Sequence, residues 1–139
     1  PSNPDLEMFQ HSASVFLPLP KDTRGDVDWA KSLNMKAISP RASLRGEAEM
    51  VVWEQDILFQ DTAAMPYVKF PHSTHSQWLA CENCHDQIFA PQKGVADISM
   101  ESIYSGRHCG VCHGKVAFSP TNGERCHSVV HEGSGEKWW

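Results

Sequence analysis

Cys81-Glu82-Asn83-Cys84-His85 and Cys109-Gly110-Val111-Cys112-His113 decide how this chain is read. Both are C-x-x-C-H, the pattern of c-type haem attachment. The spacing has a geometric reason. Two thiols three positions apart each bond one vinyl group of the same porphyrin, and the next residue sets an imidazole beneath the iron as proximal ligand. The two matches fall within 33 residues of a chain with only five cysteines, so coincidence is a poor account of them.

The same four cysteines also satisfy C-x-x-C…C-x-x-C, a zinc-ribbon pattern, although the 24 intervening residues are long for it. A four-cysteine zinc site has no use for a histidine directly after each second cysteine. It also leaves Cys126-His127 and the other histidines without a role. The haem reading uses them. In Gly123-Glu124-Arg125-Cys126-His127 the second cysteine and the histidine stand in place, while Gly123 occupies the position of the first cysteine. A third haem here hangs from a single thioether at Cys126, with His127 as proximal ligand. The plain alternative is a free cysteine beside a surface histidine.

An iron meant only for electron transfer takes two strong axial ligands. His85, His113 and His127 therefore call for three distal partners. His72 and His75, in Phe70-Pro71-His72-Ser73-Thr74-His75, precede the first motif and are read as two of them. The third stays open among Met100, His108, His131 and His11. Met100 lies on an expected helical turn, where a thioether ligand raises a haem potential but a core methionine is the commoner reading. His108 adjoins Cys109, which limits its reach. His131 follows His127 by four residues, and on a helix the two point the same way. His11 sits far upstream and is more simply a surface residue.

Working outward, all five cysteines lie between Cys81 and Cys126, and seven of the eight histidines between His72 and His131, so ligand-type residues are concentrated in the second half. A net charge of -5 argues against a nucleic-acid binder and favours a partner with a basic patch. The apolar clusters Val51–Trp53 and Ile57–Phe59 are interrupted by Glu54, Gln55 and Asp56, so no membrane span is expected. Pro1-Ser2-Asn3-Pro4 reads as a mature terminus left after removal of a signal peptide.

Residues 1 to 24 read as an extended, proline-punctuated arm. Asp26–Lys36 is expected as a short helix with Asp26 as N-cap and Trp29 and Leu33 on one face. Ile57–Phe59 and Tyr67–Phe70 predict a two-stranded hairpin turned by Asp61–Pro66. Ser99–Ser105 predicts one or two helical turns, with Met100, Ile103 and Tyr104 near one face. The fold class expected is mostly irregular, with short α-helices and one small hairpin. A second half this poor in core residues needs cofactors as its apolar interior. Three regions follow: a leader at 1–60, a haem domain at 61–132 and a tail at 133–139.

From about Tyr67 to His127 the chain resembles the class III multihaem c-type cytochromes, specifically the small trihaem, cytochrome c-seven-like domain. The resemblance rests on Phe70-Pro71-His72-x-x-His75, Trp78-Leu79-x-Cys81-x-x-Cys84-His85, Ile88-Phe89 and Ile98-x-Met100. It continues through Gly106-x-x-Cys109-Gly110-Val111-Cys112-His113-Gly114-Lys115-Val116-Ala117-Phe118 and ends on the terminal Cys126-His127. It implies a compact domain wrapped around three haem c groups, with His72 ligating the haem of the first motif and His75 that of the second. It further implies an electron carrier rather than an enzyme, redox protein partners, and a periplasmic or extracellular location. The third distal ligand is a histidine before the second motif in the smallest members; Met100 and His108 occupy that stretch here. Gly123 departs from the family pattern. Leu17–Ser43 looks like the leader of longer trihaem relatives. Three haems held by about 70 residues lie close together and form a relay. Asp and Glu are scattered rather than paired, so no catalytic constellation is expected. Competing expectations are an extracellular haem filament, in which spare histidines such as His11 and His131 complete a neighbour's iron and Trp138-Trp139 packs on it, and a haem sensor with one five-coordinate iron.

Overall fold

The computed structural model describes Ser14 and residues 16–135. Most of the expected arm, His11 and the Trp138-Trp139 pair lie outside the described residues. The chain divides into two compact units, Pro1–Ser39 and Pro40–Trp139.

In the first unit, helix α1 spans Trp29–Asn34. Its N-cap is Asp28, whose carboxylate accepts from the Lys31 amide at 3.0 Å, rather than Asp26. The reason is local. The Asp22 side chain accepts the amides of Arg24 and Asp26, and the Asp22 amide donates to the Asp26 carbonyl, so Asp26 is consumed by the preceding turn. Leu33 is buried, and Trp29, on the same face, meets Phe16 edge-on at 5.7 Å. Leu19 is buried and the Asp28 amide donates to the Pro20 carbonyl, so this part of the expected arm is packed structure.

In the second unit, β1 (Asp56–Phe59) and β2 (Tyr67–Pro71) form the expected antiparallel hairpin, with Ile57 opposite Phe70 and Phe59 opposite Val68. Thr62 closes the turn through its hydroxyl, which donates to the Met65 carbonyl at 2.8 Å. The sheet has three strands in the order β1-β2-β3, one more than expected. The added strand, β3 (His127–Val129), pairs antiparallel with β2, placing Tyr67 opposite Val129 and Val68 opposite His127. Three residues are too few to show an alternating pattern, which is why sequence reading misses them.

The rest is short elements joined by loops. Helix α2 (His72–Ser76) continues directly from β2. A 3₁₀ turn covers Cys81–Asn83, helix α3 covers Met100–Tyr104, a second 3₁₀ turn covers His108–Val111, and helix α4 (Gly123–Cys126) leads into β3. Helix α3 starts with a reciprocal cap: Ser99 and Ser102 each accept the other's amide at 3.1 Å. Of the face expected on α3, Ile103 is half-buried, while Met100 and Tyr104 are exposed.

Among the described residues the buried hydrophobic side chains are Leu19 and Leu33, both in the first unit, together with Pro66 in the second. Ile57, Phe59, Phe70, Ile88, Phe89 and Phe118 are only half-buried. The second unit is thus ordered by hydrogen-bonded turns more than by enclosed apolar side chains.

Candidate functional site

Pro71 ends β2 and is the residue before α2, so the hairpin aims His72 and His75 without an intervening loop. Three positions apart on a helix, they share a side. Phe70 lies against both, edge-on to His72 at 4.9 Å and stacked on His75 at 4.2 Å. Trp53 covers His72 at 4.4 Å, and its amide donates to the Ser76 hydroxyl.

His108 follows α3 in a left-handed backbone conformation (φ 49°). Gly110 allows the 3₁₀ turn to press against that helix: a Cβ there would stand 1.9 Å from the Ile103 carbonyl oxygen. Ser102, 2% exposed, spends its hydroxyl proton on the Ser99 carbonyl, so its oxygen accepts from His108 Nδ1 at 2.8 Å.

Six histidines share one arrangement. Nδ1 faces the Gln55 carbonyl in His72 (2.8 Å), the Pro71 carbonyl in His75 (2.8 Å), the Phe89 carbonyl in His85 (3.0 Å), the Phe118 carbonyl in His113 (3.0 Å), the Pro66 carbonyl in His127 (2.7 Å) and Ser102 Oγ in His108. A carbonyl only accepts, and the Ser102 proton is already engaged. Nδ1 is therefore the protonated nitrogen in each, and Nε2 carries the lone pair. Among the described residues none of these six Nε2 atoms has a hydrogen-bond partner. A metal-ligating histidine is held in this way, its second nitrogen tied to a carbonyl or similar acceptor.

His131 differs. Its Nε2 donates to the Met65 carbonyl at 2.9 Å, its Nδ1 accepts from the Gly133 amide at 3.2 Å, and its ring stacks on Tyr67 at 3.9 Å with 9° between the planes. Met100 is 42% exposed at the start of α3.

Burial holds the His75 imidazole below the ordinary histidine range, with the nearby His113 and His72 acting in the same direction. Burial, helped by the Arg125 charge, does the same to His113. Both effects favour the neutral ring that a metal requires. Arg125 stands 4.0 Å over the Phe118 ring, which meets His113 edge-on at 4.4 Å, so the third motif lies against the second.

All five cysteines are free thiols, Cys81 exposed and the others half-buried. Burial raises Cys84, Cys109 and Cys126, the last to about 11. The neighbouring thiols act in the same direction: Cys112 on Cys84, Cys112 and Cys84 on Cys109, and Cys109 on Cys126. Among the described residues no three His, Cys, Asp or Glu side chains gather around one point.

The His75 and His113 rings stand 6.3 Å apart. Two opposed imidazole-to-metal bonds of about 2.0–2.1 Å, plus the reach from each nitrogen to its ring centre, require a separation of about 6 Å. The pair fits an iron between them. The half-buried apolar side chains suit a porphyrin face likewise.

Sequence reading missed the supports: Ser102, the carbonyls of Pro66, Phe89 and Phe118, and Tyr67 with His131. Only Ser102 carried a signal, as half of a Ser-x-x-Ser capping pattern.

Residues 68–128 match the family model described as cytochrome c7 and related cytochrome c. A solved structure titled "c7-type three-heme cytochrome domain" matches with 29% sequence identity and a TM-score of 0.50, covering 58% of this chain and 99% of that one. A search of curated proteins gives no match. Members of this family carry electrons on haem c, and no helix among the described residues is long and apolar enough to cross a membrane. With its paired C-x-x-C-H motifs and six imidazoles anchored through Nδ1, the region spanning residues 68–128 is similar to the trihaem c7-type cytochromes, whose members transfer electrons.

Proposed function

We propose that residues 61–132 form the haem domain of an electron carrier working outside the cytoplasm, with each of three haems held between two histidines. Cys81, Cys84 and His85 hold the first haem with His72 as its distal ligand. Cys109, Cys112 and His113 hold the second with His75. Cys126 holds the third through one thioether, with His127 and His108 as its axial ligands. The carrying observation is that these six histidines, and not His131, have Nδ1 anchored and Nε2 without a hydrogen-bond partner among the described residues. His108 is preferred to Met100 because Ser102 holds its ring, whereas Met100 is exposed at the helix start.

Bound haem c supplies one-electron redox chemistry. The chain's part is to tie down the rings, keep the imidazoles neutral and limit water around them. Buried His75 and His113, with Arg125 beside the latter, give the second haem its own surroundings, which tunes its potential. The protein has no substrate chemistry of its own in this reading. The acidic total suits a redox partner with a basic docking face. With His131 engaged inside its own chain, no described residue favours ligation between subunits of a filament.

The test is the intact mass of the denatured protein together with its haemochrome spectrum. Three covalent haem additions and no free thiol are expected. Two additions with a free thiol at Cys126 refute the single-thioether attachment.

A further inference from the structure

The C-terminal segment after the third motif is fastened to the β1–β2 turn by consecutive carbonyls. Gly135 N donates to the Ala64 carbonyl at 3.1 Å, His131 Nε2 to the Met65 carbonyl at 2.9 Å, and His127 Nδ1 to the Pro66 carbonyl at 2.7 Å. The His131 ring lies flat on Tyr67, opposite Val129 in the β2–β3 pairing. Ser134 locks the far side: its hydroxyl donates to the His131 carbonyl at 2.8 Å and accepts the His131 amide at 3.1 Å. His127 and Pro66 are buried beneath this clasp.

At the other end of the motif, Gly123 opens α4 where a first cysteine would anchor the porphyrin. A Cβ there meets nothing within 4 Å, so the fold has room for the missing thiol and the sequence does without it.

We infer that His131, with Tyr67, is a positioning residue that keeps His127 on the third haem in place of the absent thioether. This rests on the proposed attachment of that haem through Cys126 and His127. The chain of action is short. His131 fixes the Met65 peptide, the next peptide presents the Pro66 carbonyl, and that carbonyl holds the His127 ring with Nε2 pointing away. Two thioethers tie a porphyrin to its proximal histidine at both edges. One thioether leaves a hinge, and a ring held from behind resists it. The clasp thereby gives a role to a histidine that ligation does not use.

The test compares full-length holoprotein as wild type, His131→Ala, His131→Gln, Gly123→Cys and the His131→Ala/Gly123→Cys double variant. Haem content is read by mass, and ligation by the high-spin ferric signal and by carbon monoxide binding after reduction. Outer hydrogen-bond partners of a metal-ligating histidine are worth about tenfold or more in affinity. His131 acts one step further out, through Met65 and Pro66, so His131→Ala should raise carbon monoxide binding by at most about tenfold at one haem of the three, leaving the other two low-spin. His131→Gln, which keeps a donor for Met65 and an acceptor for Gly133, should recover part of the loss. The double variant should return close to wild type, because the second thioether removes the need for the clasp. The inference is overturned if His131→Ala leaves all three haems unchanged or loosens all three alike, or if the double variant behaves as His131→Ala does. Wild type carrying only two covalent haems overturns instead the attachment on which the inference rests, and the mass reports this separately.

Discussion

Replacing Ser102 with alanine removes a hydroxyl that does three things at once. It donates to the Ser99 carbonyl at 2.8 Å, accepts the Ser99 amide at 3.1 Å, and accepts His108 Nδ1 at 2.8 Å. Each ordinary hydrogen bond contributes about 1 kcal/mol net, and an unsatisfied buried donor costs about 1–3 kcal/mol. Ser102 is 2% exposed, so water does not substitute readily, and a total loss of about 2–3 kcal/mol in unfolding free energy is expected. The second effect is on ligation. With Nδ1 released, His108 loses its orientation and some basicity, which for a metal ligand weakens binding about 10–100-fold, or about 1.4–2.8 kcal/mol. Ser99→Ala is the control. It removes the cap on the Ser102 amide, costing about 1 kcal/mol, but leaves the Ser102 oxygen facing His108. The assay is denaturant unfolding alongside low-temperature spin-state spectroscopy of the oxidised protein. Ser102→Ala should convert one haem in three toward high spin, while Ser99→Ala should lower stability without changing the spectrum. If both variants lose stability and neither alters the spectrum, His108 is not an axial ligand and Ser102 is only a cap.

Gly110→Ala places a methyl 1.9 Å from the Ile103 carbonyl oxygen, a backbone atom with little room to retreat, so a loss of about 3 kcal/mol or failure to mature is expected; wild-type yield and denaturation midpoint would contradict this. Folded His75 and His113 titrate below the unfolded value of 6.5, so between the two values the unfolded chain binds more protons. Their contribution is complete above about pH 6.5 and shrinks as pH falls; because iron on Nε2 would also keep these rings from protonating in the fold, urea midpoints from pH 8 to 5 should decline on the acid side, and a flat profile would speak against the rings being held neutral. Asp28→Ala removes the N-cap of α1 and should cost the first unit about 1 kcal/mol by thermal unfolding while the haem spectrum stays unchanged; a spectral change would tie α1 to the haem site.

The metal chemistry was readable because it depends on covalent spacing: Cys81-x-x-Cys84-His85 states its geometry in five letters. The hairpin was readable from two β-prone runs around Asp61–Pro66, and α3 from the run Ser99–Ser105. What escaped depends on contacts distant in sequence. β3 exists because β2 offers it an edge, not because His127-Ser128-Val129 has a strand pattern. The N-cap moved from Asp26 to Asp28 because Asp22 had already captured the Asp26 amide. His131 and His108 look alike as letters, and only their surroundings separate them: one spends both ring nitrogens on backbone groups, the other has no hydrogen-bond partner for Nε2 among the described residues.

The three-stranded order also sets a sequence of assembly. The β1–β2 hairpin closes over a short turn and carries His72 and His75 at its end, so both imidazoles are placed by neighbouring chain. The third waits for His127 to reach Pro66 across 61 residues, and contacts of such separation come late in folding. The last site to close is also the first to open, because β3 leaves the sheet edge without disturbing the hairpin. On the proposed assignment, the third site is then expected to act as the fuse of a thermally stressed molecule, loosening while the hairpin that carries His72 and His75 stays closed.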